Sequence, residues 1–304
     1  MIIDFSKNAW SAFDPEQYDL SACTTLYLDQ NRLTSLAAIA PFAQLNKLSC
    51  YHNHMTHLPE SVRQMHTLQA INFSKNRMTS LPEWLGELTE LHTLDVQHNA
   101  LKHMPDSIGT LNQLTFLYVA GNDLTDLPTS IIHCQQMRYL NLSNNHFAEL
   151  PEPVCHLHQL TELRAYNNHI AFLPEAVGQL KQLKELHLMH NHLTSLPSTI
   201  GQLNALRKLI VEDNQLVTLP QEIGALTQLT DLDLRENALT ELPESIGNLT
   251  KLRFLDLRDN QLTTLPCSIA KLTSLERLDL RLNKHLATAP WLDTLKQNGC
   301  TVYV

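Results

Sequence analysis

An asparagine that recurs at a fixed interval constrains the fold of this 304-residue chain more than any other feature. The interval is 23 residues in ten consecutive steps, and one further asparagine lies 22 residues before the first of them. The positions are Asn31, Asn53, Asn76, Asn99, Asn122, Asn145, Asn168, Asn191, Asn214, Asn237, Asn260 and Asn283. A unit of this length cannot bury an apolar face alone, so such units fold by stacking on their neighbours. The period therefore predicts a solenoid of twelve repeats.

The apolar residues of each unit follow one pattern around this asparagine. In a typical unit, Leu255 and Leu257 alternate with Asp256, and this period of two predicts a strand with one buried face. Strands of successive units are expected to lie parallel, about 4.8 Å apart, in a concave sheet roughly 55 Å long. Asn260 follows the strand where the chain turns inward, and its amide is expected to bond backbone groups of its own and adjacent turns. The repeated asparagines are therefore interpreted as structural.

A Leu-Pro step recurs with the same period, from Pro59 to Pro266. Proline cannot continue a strand, but it suits the first turn of a short helix. An acidic residue often follows the proline, where it would face the positive end of that helix. These acids are Glu60, Glu83, Asp106, Glu152, Glu175 and Glu244. Because they are spread one per repeat along the outside, they are not expected to converge as a catalytic pair.

The repeated segments resemble the leucine-rich repeat family, specifically its 23-residue LPxxIGxL variety, from Cys23 to Asn283. The resemblance implies an α/β fold, a leucine-rich repeat solenoid of horseshoe shape with twelve repeats and a parallel concave sheet. This variety looks like the intracellular scaffolds that bind Ras-like GTPases and phosphatase subunits, plant Ras-group relatives, and many bacterial proteins that include secreted effectors. The resemblance implies a general role in protein binding and leaves the partner open, because one fold serves many functions.

The two ends of the chain depart from the repeat pattern. The N-terminal end contains the aromatic residues Trp10, Phe13 and Tyr18, and is predicted to cover the open face of the first repeat. The first unit, at Leu36 to Phe42, lacks the Leu-Pro step. Near the other end we predict a helix from Pro290 that Gly299 stops, followed by a short strand in residues 300–304. The predicted organisation is one structural domain with an N-terminal cap, a repeat region and a C-terminal cap, at residues 1–22, 23–285 and 286–304.

The charge balance narrows the class of partner. The formal net charge is −9. Nucleic acid and anionic membrane surfaces both require clustered Lys and Arg, so neither is an expected partner. No segment approaches the roughly 20 apolar residues that cross a bilayer. Another protein or a peptide is the expected partner.

The cysteines and the first residues bear on location. The first ten residues lack the basic flank and apolar run of a secretory signal. The chain has six cysteines, without a CxxC pair and without the disulfide-rich caps of secreted repeat proteins. Cys23, Cys50 and Cys134 stand where neighbouring repeats place an apolar residue, so we expect small buried hydrophobes there. A cytoplasmic location is predicted, with translocation into a host cell as the alternative.

Sequence motifs of catalysis and of cofactor binding do not occur in the chain. There is no GxxxxGK[ST], GxGxxG, GxSxG or HExxH motif, so no enzymatic activity and no cofactor are predicted. His146, His169 and His192 each follow a repeat asparagine, and stacked imidazoles could share a divalent ion or respond to pH. No acid or cysteine completes a repeated ligand set, so no metal is predicted. Whether this histidine column binds anything stays open.

The outward residues of the strands are the expected binding surface. Large apolar, aromatic and charged side chains concentrate on repeats five to nine, a combination enriched in protein interfaces. The predicted partner-binding residues are Phe116, Tyr118, Tyr139, Glu162, Arg164, Tyr166, Glu185, His187, Met189 and Ile210. The alternative is that the aromatic residues of adjacent repeats pack on one another and stabilise the sheet. On repeats ten to twelve, three aspartates and three arginines are expected to neutralise each other.

These observations favour a monomeric scaffold or adaptor that holds another protein on its concave face. One alternative is a secreted bacterial effector that engages a host protein through the same face. Another is a regulatory subunit of an enzyme complex.

Overall fold

The computed structural model describes residues 1–36, 44–287, 289 and 291–304. The chain forms two compact units, Met1–His146 and Phe147–Val304. Residues 37–43 lie outside the described residues, and they include most of the first unit's segment that lacks the Leu-Pro step. Pro290, at the predicted start of the C-terminal helix, also lies outside them.

Within its described residues, each unit has seven strands of three residues. In the first unit these are β1 (Ile2–Asp4), β2 (Thr25–Tyr27), β3 (Lys47–Ser49), β4 (Ala70–Asn72), β5 (Thr93–Asp95), β6 (Phe116–Tyr118) and β7 (Tyr139–Asn141). In the second unit they are β8 (Glu162–Arg164), β9 (Glu185–His187), β10 (Lys208–Ile210), β11 (Asp231–Asp233), β12 (Phe254–Asp256), β13 (Arg277–Asp279) and β14 (Thr301–Tyr303). Strands β2 to β13 lie at the positions predicted by the period, which is consistent with twelve repeats.

Successive strands within each unit pair in parallel with a constant register. Leu209 of β10 lies opposite Leu232 of β11, which lies opposite Leu255 of β12. These central leucines are at most 1% exposed, and the residues on either side of them point to the other face. The predicted leucine-rich repeat fold with parallel strands is therefore confirmed.

Short 3-10 helices follow the Leu-Pro steps. Those of the first unit are Glu60–Gln64, Glu83–Glu87, Asp106–Thr110 and Thr129–His133, after an initial one at Pro15–Gln17. Those of the second unit are Glu152–His156, Glu175–Gln179, Ser198–Gln202, Gln221–Ala225, Glu244–Asn248 and Cys267–Lys271. The repeat proline lies immediately before each of these helices, whereas the sequence predicted it in the first turn. The acidic residue that follows the proline does lie in the first turn, as at Glu244.

The repeat asparagines bond the backbone of two turns, as the sequence predicts. Asn191 is 5% exposed, and its Nδ2 donates to the carbonyl oxygens of Leu188 at 2.9 Å and of Ala165, one turn earlier, at 2.9 Å. Its Oδ1 accepts from the backbone N–H of Ile170 at 3.0 Å. The same three kinds of bond recur at Asn53 and Asn260, so within each unit these asparagines join a turn to the one before it.

The residue before each repeat asparagine has a left-handed backbone conformation. His190 has a φ of 54° and Glu236 has a φ of 56°, although L side chains disfavour this region. Only Gly121 supplies a glycine at this position of the repeat. The bonds made by the following asparagine therefore hold a conformation that the side chain alone disfavours.

The N-terminal residues form part of the first unit. Strand β1 pairs with β2, with Ile3 opposite Leu26. An aromatic cluster follows it, and its ring centroids lie 4.5–6.1 Å apart. The cluster consists of Phe5, Trp10, Phe13 and Tyr18. Phe13 is 2% exposed, so this segment has a core of its own.

The C-terminal residues end in the predicted helix and strand. Helix α1 (Leu292–Gln297) buries Leu292 and Leu295, and Gly299, with a φ of 91°, follows it. Strand β14 then pairs with β13. Over the part of the chain that the structure describes, no helix combines the length and the apolar character that crossing a bilayer requires.

Candidate partner-binding face

The first and third residues of each strand place their side chains on one face of the sheet. The second residue is buried on the opposite side, so side chains two apart in sequence are neighbours along a strand and side chains 23 apart are neighbours between strands. The ten predicted partner-binding residues lie on this face, or two residues beyond a strand. Three of them belong to the first unit and seven to the second.

The three residues of the first unit are aromatic. The rings of Tyr118 and Tyr139 lie 4.8 Å apart between centroids, with planes tilted by 36°. Packing between neighbouring repeats, the alternative that the sequence left open, therefore occurs for this pair. Phe116 is 39% exposed, and both tyrosines remain half-buried. A partner could still contact all three residues.

The charged residues of the second unit form ion pairs on the same face. Glu162 accepts a hydrogen bond from Nε of Arg164 at 2.6 Å. Glu185 lies between two positive or protonatable groups, with Nε2 of His187 at 3.1 Å and Nζ of Lys208 at 3.1 Å. Burial raises the pKa of Glu185, but the bonds from His187 and Lys208 together lower it below its usual value. Glu185 is therefore a carboxylate at neutral pH.

Glu162, Glu185 and His187 can bring three ligand atoms within 4.8 Å of one another, close enough for one metal ion. Arg164 and Lys208 already pair with the two carboxylates, and their positive charges oppose a divalent cation. We interpret the cluster as an ion-pair network.

The remaining residues predicted for this region give it apolar area. Tyr166 and Met189 follow β8 and β9 by two residues, and Ile210 ends β10. Each is half-buried. They add partly exposed apolar surface beside the ion pairs, and the core of a protein interface is built from surface of this kind.

The predicted neutralisation between aspartates and arginines occurs on the last strands. Asp279 is fully buried and lies within 2.7 Å of Nη2 of Arg281, 2.9 Å of Nη2 of Arg277 and 3.6 Å of Nε of Arg258. Burial raises its pKa, but the hydrogen bonds from Arg281 and Arg277 outweigh this effect, and the pKa falls to about 2. Arg258 also binds Asp256 at 2.7 Å. Most of these pairs join residues two apart on one strand, and fewer join neighbouring strands.

A cavity of about 220 Å³ lies on the same face of the second unit, over β10 to β13. It is lined by Ile210, Asp231, Leu232, Asp233, Phe254, Leu255, Asp256 and Arg277. Of these residues, only Ile210 was among those predicted to bind a partner. The signal was present in the sequence, since Phe254 is an outward aromatic residue with acidic residues in the neighbouring positions of the repeat.

The histidine column is exposed to solvent. The rings of His169 and His192 stack with centroids 5.6 Å apart, and His146 in the first unit lies 3.6 Å from the Asp123 carboxylate. All three side chains are exposed.

The cysteines that the sequence assigned to apolar positions are buried. Cys23, Cys50 and Cys134 are at most 1% exposed. The prediction of small buried hydrophobes is confirmed for these three residues. All six cysteines are free thiols.

Family models match most of the repeat region. A model described as a leucine-rich repeat region matches residues 128–214 and 199–297, and a leucine rich repeat model matches residues 43–101. A search of curated proteins finds no match.

Solved structures share the fold. A leucine-rich repeat protein of Leptospira interrogans is 36% identical, with a TM-score of 0.88 over 93% of this chain and 73% of that one. An internalin from Listeria monocytogenes is 21% identical, with a TM-score of 0.77 over 93% of this chain and 87% of that one, a likeness of fold alone. The ectodomain of the plant membrane receptor kinase GASSHO1/SCHENGEN3 from Arabidopsis thaliana, solved in complex with CASPARIAN STRIP INTEGRITY FACTOR 2, is 27% identical. Its TM-score is 0.65, and this chain covers 39% of it while 91% of this chain is matched. By the extent of the matching models and the identity to the Leptospira protein, the chain belongs to the leucine-rich repeat family.

Proposed function

We propose that this chain is a scaffold that binds another protein or a peptide through the strand faces of its two units. Leucine-rich repeat folds generally mediate protein–protein interaction, and proteins of this kind are typically binding scaffolds without enzymatic activity. The observation that carries the proposal is the second unit's combination of partly exposed Tyr166, Met189 and Ile210 with an ion-pair network beside them. Tyrosine, methionine and arginine are enriched where protein interfaces are buried.

The first unit supports the same proposal by a separate observation. Phe116 exposes more than a third of its surface although it lies in a regular strand. Together with Tyr118 and Tyr139 it forms an aromatic area that neighbouring repeats cover only in part. Monomeric state and cytoplasmic location remain predictions, which light scattering and fractionation of the source cells would measure.

Affinity capture with substituted chains tests the binding face. A variant with Tyr139→Asp, Tyr166→Asp and Met189→Asp places carboxylates in the two proposed areas, where burial by a partner is unfavourable. We expect it to lose a protein that the wild-type chain retains from an extract of the source cells, measured by mass spectrometry. The matched control carries Gln113→Asp, Gln179→Asp and Gln221→Asp, which change the net charge equally at exposed residues outside the strands.

Circular dichroism and thermal melting of both variants establish that each is folded. Retention of the same protein by the wild type and by the face variant would place binding elsewhere. Equal loss in the control variant would show that capture depends on net charge alone.

A further inference from the structure

The acidic cavity of the second unit differs in composition from the rest of the strand face. Its walls carry three carboxylates and one guanidinium, over a floor that includes Leu232 and Leu255. The register places Asp231 opposite Phe254 and Asp233 opposite Asp256, so the acids surround one aromatic ring on neighbouring strands. The strands that form the cavity are β10 to β13.

The positive charges close to this cavity are already bound. Arg277 donates to Asp279 at 2.9 Å. Arg235 pairs with Asp233 at 3.2 Å and also with Glu212. Lys208, the register neighbour of Asp231, pairs with Glu185 at 3.1 Å.

The charged residues that line the cavity, taken together with the groups that pair with them, include one more acid than base. The acids are Glu212, Asp231, Asp233, Asp256 and Asp279, and the bases are Arg235, Arg258, Arg277 and Arg281. This leaves a formal excess of one negative charge when all are ionised. One additional monovalent cation would balance the group.

The ionised form of Asp233 is disfavoured in the folded chain, chiefly by burial. Burial raises its pKa to about 6, and the neighbouring carboxylates of Asp256 and Glu212 add to the effect against the attraction of Arg235. The ionised form of Asp233 is thus poorly compensated within the chain. A cation in the cavity would compensate it.

Phe254 favours a guanidinium over an ammonium as the bound cation. Phe254 is 36% exposed, and its ring already has the guanidinium of Arg253 at 5.1 Å from its centroid. A guanidinium is planar, stacks on aromatic rings and binds carboxylates through two N–H groups at once, whereas an ammonium does neither as well. The apolar floor suits the aliphatic stem of such a side chain.

We propose that this cavity binds one arginine side chain of the partner protein, inserted among Asp231, Asp233 and Asp256 and against Phe254. The assignment rests on the proposed function and specifies the chemistry of the partner at one position. These four residues lie outside the ten that the sequence predicted to bind a partner.

A titration with a minimal probe tests the cavity without knowledge of the partner. The probe is N-acetyl-arginine amide, added to the full ¹⁵N-labelled chain and followed by amide chemical shifts. We expect saturable shifts at β11 and β12 in the millimolar range. The neutral isostere N-acetyl-citrulline amide should give no saturable shift there, and N-acetyl-lysine amide should bind several-fold more weakly.

Substitutions define the site within the same experiment. Asp233→Asn and Asp256→Asn are each expected to weaken the arginine probe about five- to tenfold, and Phe254→Ala to remove its preference over lysine. Glu222→Gln is the matched control, because it removes one negative charge at an exposed residue of a 3-10 helix. It should leave the affinity unchanged.

Three outcomes would overturn the assignment: no saturable shift at the cavity, equal binding of the citrulline probe, or equal or tighter binding of the lysine probe. Failure of the proposed function has a different signature. In that case the arginine probe still saturates the cavity, while the wild-type chain retains no protein that the Tyr139, Tyr166 and Met189 variant loses.

Discussion

Aspartates at the same position of different repeats differ in ionisation because their cationic neighbours differ. Asp233 and Asp279 both end their strands. Asp279 has three arginines within 3.6 Å and a pKa of about 2. Asp233 shares Arg235 with Glu212, and burial raises its pKa to about 6. The sequence column alone, which reads Asp at both positions, does not contain this difference.

The same substitution should therefore have opposite effects at the two positions. Because the folded-state pKa of Asp233 is raised, its contribution to stability is present below pH 4 and is lost as the pH rises through about 6. Asp233→Asn should raise the free energy of unfolding at pH 8 by up to about 3 kcal/mol, and the gain should disappear near pH 4. Glu212, Arg235 and Asp256 are the charged groups that oppose or favour ionisation there.

At Asp279 the folded-state pKa is lowered, so the stabilisation is present above pH 4 and is lost as the pH falls through about 2. Asp279→Asn should lower the free energy of unfolding at pH 7 by about 2 kcal/mol, and this loss should shrink between pH 4 and pH 2. Thermal melting of both variants across pH measures the two effects. Changes of the same sign at neutral pH would contradict the assigned ion pairs.

The 3-10 helices pack on one another through glycine positions of the repeat. At Gly224, an added Cβ would lie 2.4 Å from the carbonyl oxygen of Ser245 in the next helix. Gly201 has the same relation to Glu222, also at 2.4 Å. The glycine of the LPxxIGxL pattern therefore sets how closely two turns approach.

Gly224→Ala should lower the free energy of unfolding by about 2 kcal/mol, because backbone of the next repeat must move to admit the methyl group. The midpoint of urea unfolding measures this change. Ala225→Ser, at the exposed next position, is the control and should leave the midpoint unchanged. An unaltered midpoint for Gly224→Ala would mean that the two helices separate without cost.

At the scale of the molecule, stability is a sum of interactions between neighbouring turns. Asn191 bonds its own turn and the preceding one, and no bond of its side chain reaches a more distant repeat among the described residues. A defect at this residue is therefore expected to remain local.

Asn191→Ala leaves the N–H of Ile170 and the carbonyl oxygen of Ala165 without the side-chain partner that they have now. We expect a loss of about 3 kcal/mol, since buried unsatisfied groups are costly. Hydrogen exchange should accelerate at Ile170 and in β8 and β9, and remain unchanged in β13. Asn204→Ala, at an exposed asparagine outside the column, should change neither. Acceleration of exchange in β13 to the same degree would show that the unit opens as a whole.

The sequence predicted the features that recur with the 23-residue period. It did not predict the features that depend on how side chains of neighbouring strands pack and pair. The period located β2 to β13, and the asparagine column predicted the bonds that Asn191 makes, because these features depend only on residues at fixed spacing. Strand β1 was missed because the asparagine series was started at Asn31, although Asn8 lies 23 residues earlier and follows Ile2–Asp4. Phe254 and the acidic residues beside it can be read from the sequence, but the cavity among them cannot, because it depends on how the side chains of neighbouring strands pack.

The burial of sulfur has a consequence for the surroundings in which the fold can persist. Five of the six thiols are enclosed and only Cys267 is exposed, and burial raises the pKa of Cys134 and Cys155 to about 12. Oxidants act on thiolates that they can reach, so the enclosed sulfurs are inert in the native state. The fold has no disulfide bond to lose in a reducing environment, and its five buried thiols are shielded from oxidants. The five buried cysteines therefore do not make the fold depend on a reducing environment, and they do not confine the protein to the cytoplasm.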